Sequence, residues 1–279
     1  MAHKTLTDRR RETLERLRQH ARRLEPLSHI RPSILATPLY KLLSPSAVRG
    51  IVHVDDIGLL YLDPVSHLGR TILTDGVYEP ETVSLLHEYI KPGHTVFDIG
   101  ANEGVMSVCA ANLVGPSGRV VAIEPQSRLL DVLEINLSLN ATGRYDLIHG
   151  AVSDLNGQVV AISLHPAGNT GASSIVRPYR WSSKKEDVPT VTITQVATSL
   201  GIDRIDFVKV DVEGYEPEVV KSLRPLLADN RVGNLLIDYH VSILSKRGID
   251  AHVIHDSILD SGYKAVKGTP AGGYVLYGT

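Results

Sequence analysis

Charged side chains occupy two stretches of this sequence that are otherwise as apolar as buried strands, and their spacing suggests acid–base chemistry. In Ile205-Asp206-Phe207-Val208-Lys209-Val210-Asp211-Val212-Glu213 the charges interrupt a Val/Ile-type run. Side chains alternate along a strand, so Lys209, Asp211 and Glu213 share a face. A lone buried charge is costly, which leaves a structural Lys–carboxylate pair or an active-site cluster at the strand's end. Downstream, Leu235-Leu236-Ile237-Asp238-Tyr239-His240 is a second apolar run closing on ionisable groups. If the two strands are parallel neighbours, Asp211 and Asp238 end at one sheet edge, with His240 on the same alternate face as Asp238. Such a set can remove a proton from a hydroxyl, with His240 as general base and Asp211 and Asp238 orienting it or the substrate. The rival arrangement is a divalent cation, magnesium by its preference for oxygen ligands, held by Asp211 and Asp238.

A second motif lies upstream. Val96-Phe97-Asp98-Ile99-Gly100-Ala101-Asn102-Glu103-Gly104 reads as an apolar strand, a tight turn and the start of a helix. Gly100 and Gly104 permit close backbone approach, and Asn102 tolerates a left-handed conformation. A ligand can therefore press on this backbone at the C-terminal edge of a sheet, where open α/β sheets bind ligands. A dinucleotide fingerprint needs glycines at positions 100, 102 and 105; Asn102 and Val105 break it, and the phosphate-loop Lys-Ser/Thr pair is absent. Glu124 ends the next apolar run, at about the 20-residue distance where a carboxylate accepts both ribose hydroxyls. A ribose without a diphosphate fits S-adenosylmethionine. The bland alternative is a tight turn with a coincidental surface Glu.

These residues need a scaffold that brings strand ends together, and the pattern supplies one. A helix over Pro80–Ile90 has Pro80 in its first turn. Then follow HTVFDIG (strand), 103–114 (helix), RVVAIEP (strand), 127–140 (helix) and YDLIHGAV (strand). Region 157–195 holds two predicted strands, QVVAISLHP and TVTIT, around a Gly/Ser loop. IDFVKVDV, a helix over 216–228, GNLLIDYH and a helix over 249–261 complete the alternation, and YKAVKG and GYVLYGT close it as a hairpin. Alternating strands and helices imply βαβ units and a mostly parallel sheet; the hairpin adds an antiparallel edge strand. Before residue 76 the texture differs. Residues 4–25 are a basic amphipathic helical stretch, 26–50 a connector, and 51–73 short alternating runs of a small β element. The chain thus divides into an N-terminal helical extension (1–50), a β element (51–75) and one α/β domain (76–279).

Composition sets the outer bounds. Of 279 residues 43% are hydrophobic, enough for a large core, and a net charge of −2 gives no global attraction for nucleic acid. Cys109 is the one cysteine, so neither a disulfide framework nor a thiolate metal cluster is expected. With no signal-peptide core and no apolar run of membrane-spanning length, a soluble cytoplasmic protein is expected. The N-terminal helix offers a route to homo-oligomers.

YEPETVSLLHEYIKPGHTVFDIGANEGVMSV, VVAIEPQ, AVSD, GNTGASS, IDFVKVDVEGYEPEVVKSL and IDYH, in that order over roughly residues 76–265, resemble the FkbM-type methyltransferases. The resemblance implies a class I methyltransferase Rossmann-like fold, with a mostly parallel seven-stranded sheet and an antiparallel C-terminal edge hairpin. It implies S-adenosylmethionine as cofactor. Asp98, Gly100, Asn102 and Gly104 would stand on its methionine and ribose side, Glu124 at the ribose hydroxyls, and Pro125 and Gln126 beside the adenosine. Ala151 and Val152 would line the adenine pocket, and Glu79, after Tyr78, would face the cofactor's ammonium. The family more often shows Glu where this chain has Asp238. The activity implied is O-methylation of a hydroxyl on a sugar, glycolipid or polyketide-type molecule. A macromolecular acceptor or a non-catalytic nucleotide-binding module are the alternatives. The Asp-Val-Glu-Gly-Tyr run lacks the Asn/Asp-Pro-Pro-aromatic pattern of nucleic-acid amino-methylating enzymes. GNTGASS would be a lid or an acceptor-binding loop.

Overall fold

The computed structural model describes residues 49–165, 167–176 and 184–279. The basic stretch 4–25, and the oligomer contact expected of it, lie outside the described residues.

Strands β1 (Gly50–Val54) and β2 (Gly58–Leu62) form an antiparallel hairpin. The β pattern expected to run to residue 73 stops there, because Leu68, Ile72 and Leu73 have helical spacing and are buried on helix α1 (His67–Asp75). Ser66 caps that helix by accepting the Gly69 N–H. Helix α2 (Pro80–Tyr89) follows, with Pro80 in its first turn. The chain then alternates through β3 (Thr95–Ile99), α3 (Val105–Val114), β4 (Arg119–Glu124), α4 (Ser127–Ser138) and β5 (Arg144–His149).

YDLIHGAV, predicted as one strand, divides at Gly150. β5 pairs with β4, whereas β6 (Ala151–Val152) pairs elsewhere. Gly150 donates its N–H to the Glu124 carbonyl (3.2 Å), and a Cβ there would lie 3.1 Å from Val191. β7 (Val159–Ser163), a 3₁₀ stretch (Ala167–Ala172) and β8 (Lys185–Val191) follow; β6, β8 and β7 make a three-stranded sheet. The predicted strand TVTIT ends at Val191, because the Thr192 side chain accepts the Gln195 N–H and starts helix α5 (Ile193–Ser199). The remainder is β9 (Ile205–Val210), α6 (Glu216–Ala228), β10 (Val232–Asp238), α7 (Val241–Lys246), α8 (Ala251–Leu259), β11 (Lys264–Thr269) and β12 (Tyr274–Gly278). The short helix α7 has no counterpart in the sequence reading.

The seven-stranded sheet has the order β11-β12-β10-β9-β3-β4-β5. Five strands, β10 to β5, run parallel, and β12 is antiparallel to both its neighbours. The antiparallel strand lies one place in from the edge, and β11 closes the sheet. Alternation along each strand sends Phe97, Val121, Val208 and Leu235 to one core with α5, α6 and α8, and Val96, Val120, Phe207 and Leu236 to the other with α2, α3 and α4. The hairpin's Val52, Val54, Leu60 and Leu62 belong to the second core. The Asn140 side chain, just beyond α4, accepts the Leu59 N–H (2.8 Å) and donates to the Leu59 carbonyl (2.7 Å), so the free edge of β2 is satisfied by an amide.

Strand order reverses at β3, which lies between β4 and β9. The crevice such a reversal opens is at the C-terminal ends of those strands, where the charged residues of both motifs emerge. No helix among the described residues is long and apolar enough to cross a membrane.

Candidate active site

The turn after β3 is left-handed at three places, Gly100 (φ 83°), Asn102 (φ 52°) and Gly104 (φ 89°). A Cβ on Gly100 would lie 1.9 Å from the Asp211 carbonyl oxygen, so this glycine lets the end of β9 close against the turn. Gly104 serves packing instead. A Cβ there would lie 2.5 Å from Leu133 on α4, and the residue is not on the cleft wall. Asn102 donates its N–H to Glu124 Oε2 (2.7 Å), and Gln126 donates its N–H to Glu124 Oε1 (2.9 Å). Each carboxylate oxygen thus gives one lone pair to the backbone and keeps acceptor capacity for a ligand. Glu124 is 2% exposed, and this burial pushes its pKa up to about 7 despite the two donors.

A cleft of about 850 Å³ opens beside this carboxylate. Twelve expected site residues meet on its walls: Glu79, Gly100, Asn102, Glu124, Pro125, Gln126, Ala151, Val152, Asp211, Glu213, Asp238 and His240. Asp98 and Lys209 stand behind them. Asp98 Oδ2 accepts the Ser107 hydroxyl (2.5 Å), and Lys209 Nζ lies 3.6 Å from Asp98 Oδ1 and 3.2 Å from Asp211 Oδ2. A second, more open pocket adjoins the first and is lined by Pro80, Glu81, Thr82, Lys209, Leu236 and Tyr274; Glu79 and Asp238 line both.

At the β9/β10 end the charges are coupled. His240 Nε2 lies 3.7 Å from both Asp211 Oδ1 and Glu213 Oε1, and Nδ1 lies 2.8 Å from Glu216 Oε1. Glu216 is fully buried at the start of α6 and also accepts the Gly214 N–H (3.0 Å). Burial opposes a charged imidazole, but the bond to Glu216 and the fields of Asp211 and Glu213 outweigh it and raise the His240 pKa to about 9. These partners favour the imidazolium, the protonation state opposite to the resting base expected from sequence. Burial and the nearby Asp211 push Asp238 up to about 6, so it is ionised at neutral pH and the more basic of the two aspartates. Burial works against ionisation of Asp211, yet Lys209 and His240 hold it below the usual carboxylate range. Ligand atoms of Asp211, Asp238 and His240 lie within 4.8 Å of one another. Glu79, left-handed at φ 45° before α2, is raised by burial while the Lys209 charge counters.

Sequence reasoning missed Glu216, whose only signal was its place at the predicted start of the 216–228 helix. It also missed how the GNTGASS segment is tied down. Thr170 donates its hydroxyl to Asn102 Oδ1 (3.1 Å), Ser173 donates to Gln126 Oε1 (3.0 Å), and Ser174 donates to the Glu213 carbonyl (2.8 Å). Arg128 adds bonds to Gln126 Oε1 (2.6 Å) and the His165 carbonyl (2.8 Å). One loop thus touches the turn after β3 and the segments that follow β4 and β9.

Residues 98–265 match the Methyltransferase FkbM domain. The chain belongs to the FkbM methyltransferase family. The match begins at the aspartate of the turn motif and takes in every residue of the coupled charge cluster. This FkbM chain is 25% identical over 177 residues to the 2-O-methyltransferase NoeI of Sinorhizobium fredii, covering 56% of this chain and 70% of that one. It is 29% identical over 125 residues to a protein-L-isoaspartate O-methyltransferase of Methanopyrus kandleri, covering 44% of this chain and 52% of that one, so the match spans about half of that relative's length. Among solved structures, Aeropyrum pernix fibrillarin with bound S-adenosyl-L-methionine superposes with a TM-score of 0.41 at 14% identity, covering 68% of each chain. The FkbM chain has the Rossmann-like fold of class I methyltransferases: a mostly parallel seven-stranded sheet carrying one antiparallel strand near its C-terminal edge.

Proposed function

We propose that the protein is a cytoplasmic, S-adenosylmethionine-dependent O-methyltransferase that modifies a hydroxyl of a small molecule such as a sugar, glycolipid or polyketide-type compound. The observation that carries the reading is the pairing of two sites in one cleft: a buried carboxylate, Glu124, held by two backbone N–H groups, and Asp238 on the wall shared with a second void. The residues present fit the cofactor. Glu124 can accept both ribose hydroxyls, Ala151 and Val152 offer an apolar wall for adenine, and Glu79, Asp211 and Glu213 surround the space with negative charge suited to a sulfonium and an ammonium.

When bound, S-adenosylmethionine supplies a methyl group activated by positive sulfur. The chain's own residues must align the acceptor, exclude water and take a proton. Asp238 is the proposed proton acceptor, since its raised pKa of about 6 leaves it ionised yet more basic than an exposed aspartate. His240, fixed by Glu216, balances the acidic cluster and orients Asp238 and Asp211. The acceptor enters through the void bounded by Pro80, Glu81 and Tyr274. NoeI carries an O-methylating name, which supports a hydroxyl acceptor.

A second mechanism has the Asp211–Asp238–His240 grouping behind it: those ligand atoms could hold a divalent cation that lowers the pKa of the acceptor hydroxyl. One experiment decides both questions. Purified protein is titrated with S-adenosylhomocysteine, then incubated with labelled S-adenosylmethionine and a panel of glycosides, glycolipids, macrolides, peptides and RNA, with and without chelator. Binding together with label on a small-molecule hydroxyl supports the reading. Label on peptide or RNA alone overturns the acceptor class. Loss of activity in chelator, restored by magnesium, replaces the unaided base with the metal.

A further inference from the structure

We infer that Arg49, which lies outside the family-matched residues, is a positioning residue for the cofactor turn: with Glu103 it closes a hydrogen-bonded ring that holds Asn102 against Glu124. The inference rests on the proposed reading of the cleft as an S-adenosylmethionine site.

Glu103 is the residue between Asn102 and Gly104, and its side chain is fully buried. A carboxylate in that position needs a partner, because an unpaired buried charge costs more than the turn itself can supply. Arg49 provides a two-pronged one, with Nη1 2.8 Å from Oε2 and Nη2 3.1 Å from Oε1. Arg49 Nη1 also donates to the Tyr61 carbonyl (3.3 Å), and the guanidinium stands 5.8 Å from the Tyr61 ring centre. From Tyr61 the path continues: its N–H donates to Asn136 Oδ1 (2.6 Å), and Asn136 Nδ2 donates to the Glu103 carbonyl (2.7 Å). The ring Arg49–Tyr61–Asn136–Glu103 joins the start of the hairpin, strand β2, helix α4 and the turn.

Glu103 is thereby gripped through both its side chain and its backbone. Asn102, immediately before it, must keep a left-handed conformation to aim its N–H at Glu124 Oε2. Anchoring residue 103 fixes one side of that conformation, and the Glu124 bond fixes the other. Without Arg49 the buried Glu103 side chain loses its two-pronged partner and must turn toward water, which loosens Asn102. The effect falls on cofactor affinity, because none of the four ring residues lines the cleft.

The test uses the full chain. In Arg49→Met, affinity for S-adenosylhomocysteine should weaken about tenfold or more, as expected when one partner of a buried pair is removed. The KM for S-adenosylmethionine should rise in step, while kcat at saturation stays within about twofold. Amide exchange at residues 100–104 should quicken and that of α6 should not. The double variant Arg49→Met/Glu103→Gln, which removes both charges, should recover most of the affinity. Arg49→Lys and Glu103→Gln repeat the measurement if Arg49→Met does not fold. Unchanged affinity and unchanged exchange at the turn overturn the inference, as does a fall in kcat as large as the rise in KM with no recovery in the double variant. If the wild-type chain binds no S-adenosylhomocysteine, the reading of the cleft fails, and exchange at residues 100–104 still decides the ring: no change in Arg49→Met refutes it.

Discussion

The two ends of the cleft solve opposite electrostatic problems. At the β4 end a single carboxylate, Glu124, is stabilised by backbone N–H groups that cannot move without unravelling the turn. At the β9/β10 end Asp211, Glu213, Glu216 and Asp238 crowd around the Lys209 ammonium and the His240 ring, and Asp211, Asp238 and His240 shift one another's pKa. A fixed acceptor suits binding, because the fold sets its geometry before the ligand arrives. A coupled cluster suits proton transfer, because charges this close shift one another, raising Asp238 to about 6 and His240 to about 9.

The sharpest way to break this contrast is Asp238→Asn. If the β10 end carries the chemistry, kcat should fall about 10²–10⁴-fold while affinity for S-adenosylhomocysteine, measured by calorimetry, hardly changes. Glu124→Ala is the converse: affinity should fall roughly 10- to 100-fold, the size expected for lost charge-assisted hydrogen bonds, with a much smaller change in kcat at saturating cofactor. Parallel losses of affinity and kcat in both variants would erase the division of labour.

A pH series sharpens it further. Burial raises Glu124 to about 7, above an ordinary glutamate, so the folded form binds that proton more tightly than the unfolded form does. The associated stability is present in acid and is lost as pH rises from the usual carboxylate range through about 7. Cofactor affinity runs the other way, since two ribose hydroxyls need the ionised acceptor. Binding at pH 6 should be about tenfold weaker than at pH 8, and Glu124→Gln should flatten the profile. The smallest effect is expected at the loop that bridges the two ends. Thr170→Val removes its hydroxyl's bond to Asn102 and should weaken cofactor binding about two- to fivefold, read in the same titration.

Much of the binding end was legible in the residues. Gly100, Asn102 and Glu124 are recognisable because a left-handed turn, and a carboxylate ending the next strand beside it, each demand particular residue types at particular spacings. The charge cluster was legible in membership but not in state. Lys209, Asp211, Glu213, Asp238 and His240 stand out against apolar strands, yet the pKa of His240 depends on Glu216, whose approach no local pattern announces. Gly104 illustrates the reverse difficulty: it belongs to the motif, but Leu133 on another helix is what requires a glycine there. Arg49 and Glu103 carried no signal, because a pair separated so widely in sequence has no spacing to read.

Alternation of apolar strands and helices was enough to predict from the sequence a mostly parallel sheet, and the chemistry of glycine and asparagine in turns was enough to predict a left-handed turn at its edge. Those properties follow from local sterics and periodic burial, which each segment expresses by itself. Tertiary structure alone decided which hairpin strand lies inside the sheet, that Glu216 lies against His240, and that Arg49, just before the hairpin, holds Glu103 in the turn after β3. Each of these depends on the distance between groups remote in the chain, and electrostatic and packing energies are set by that distance.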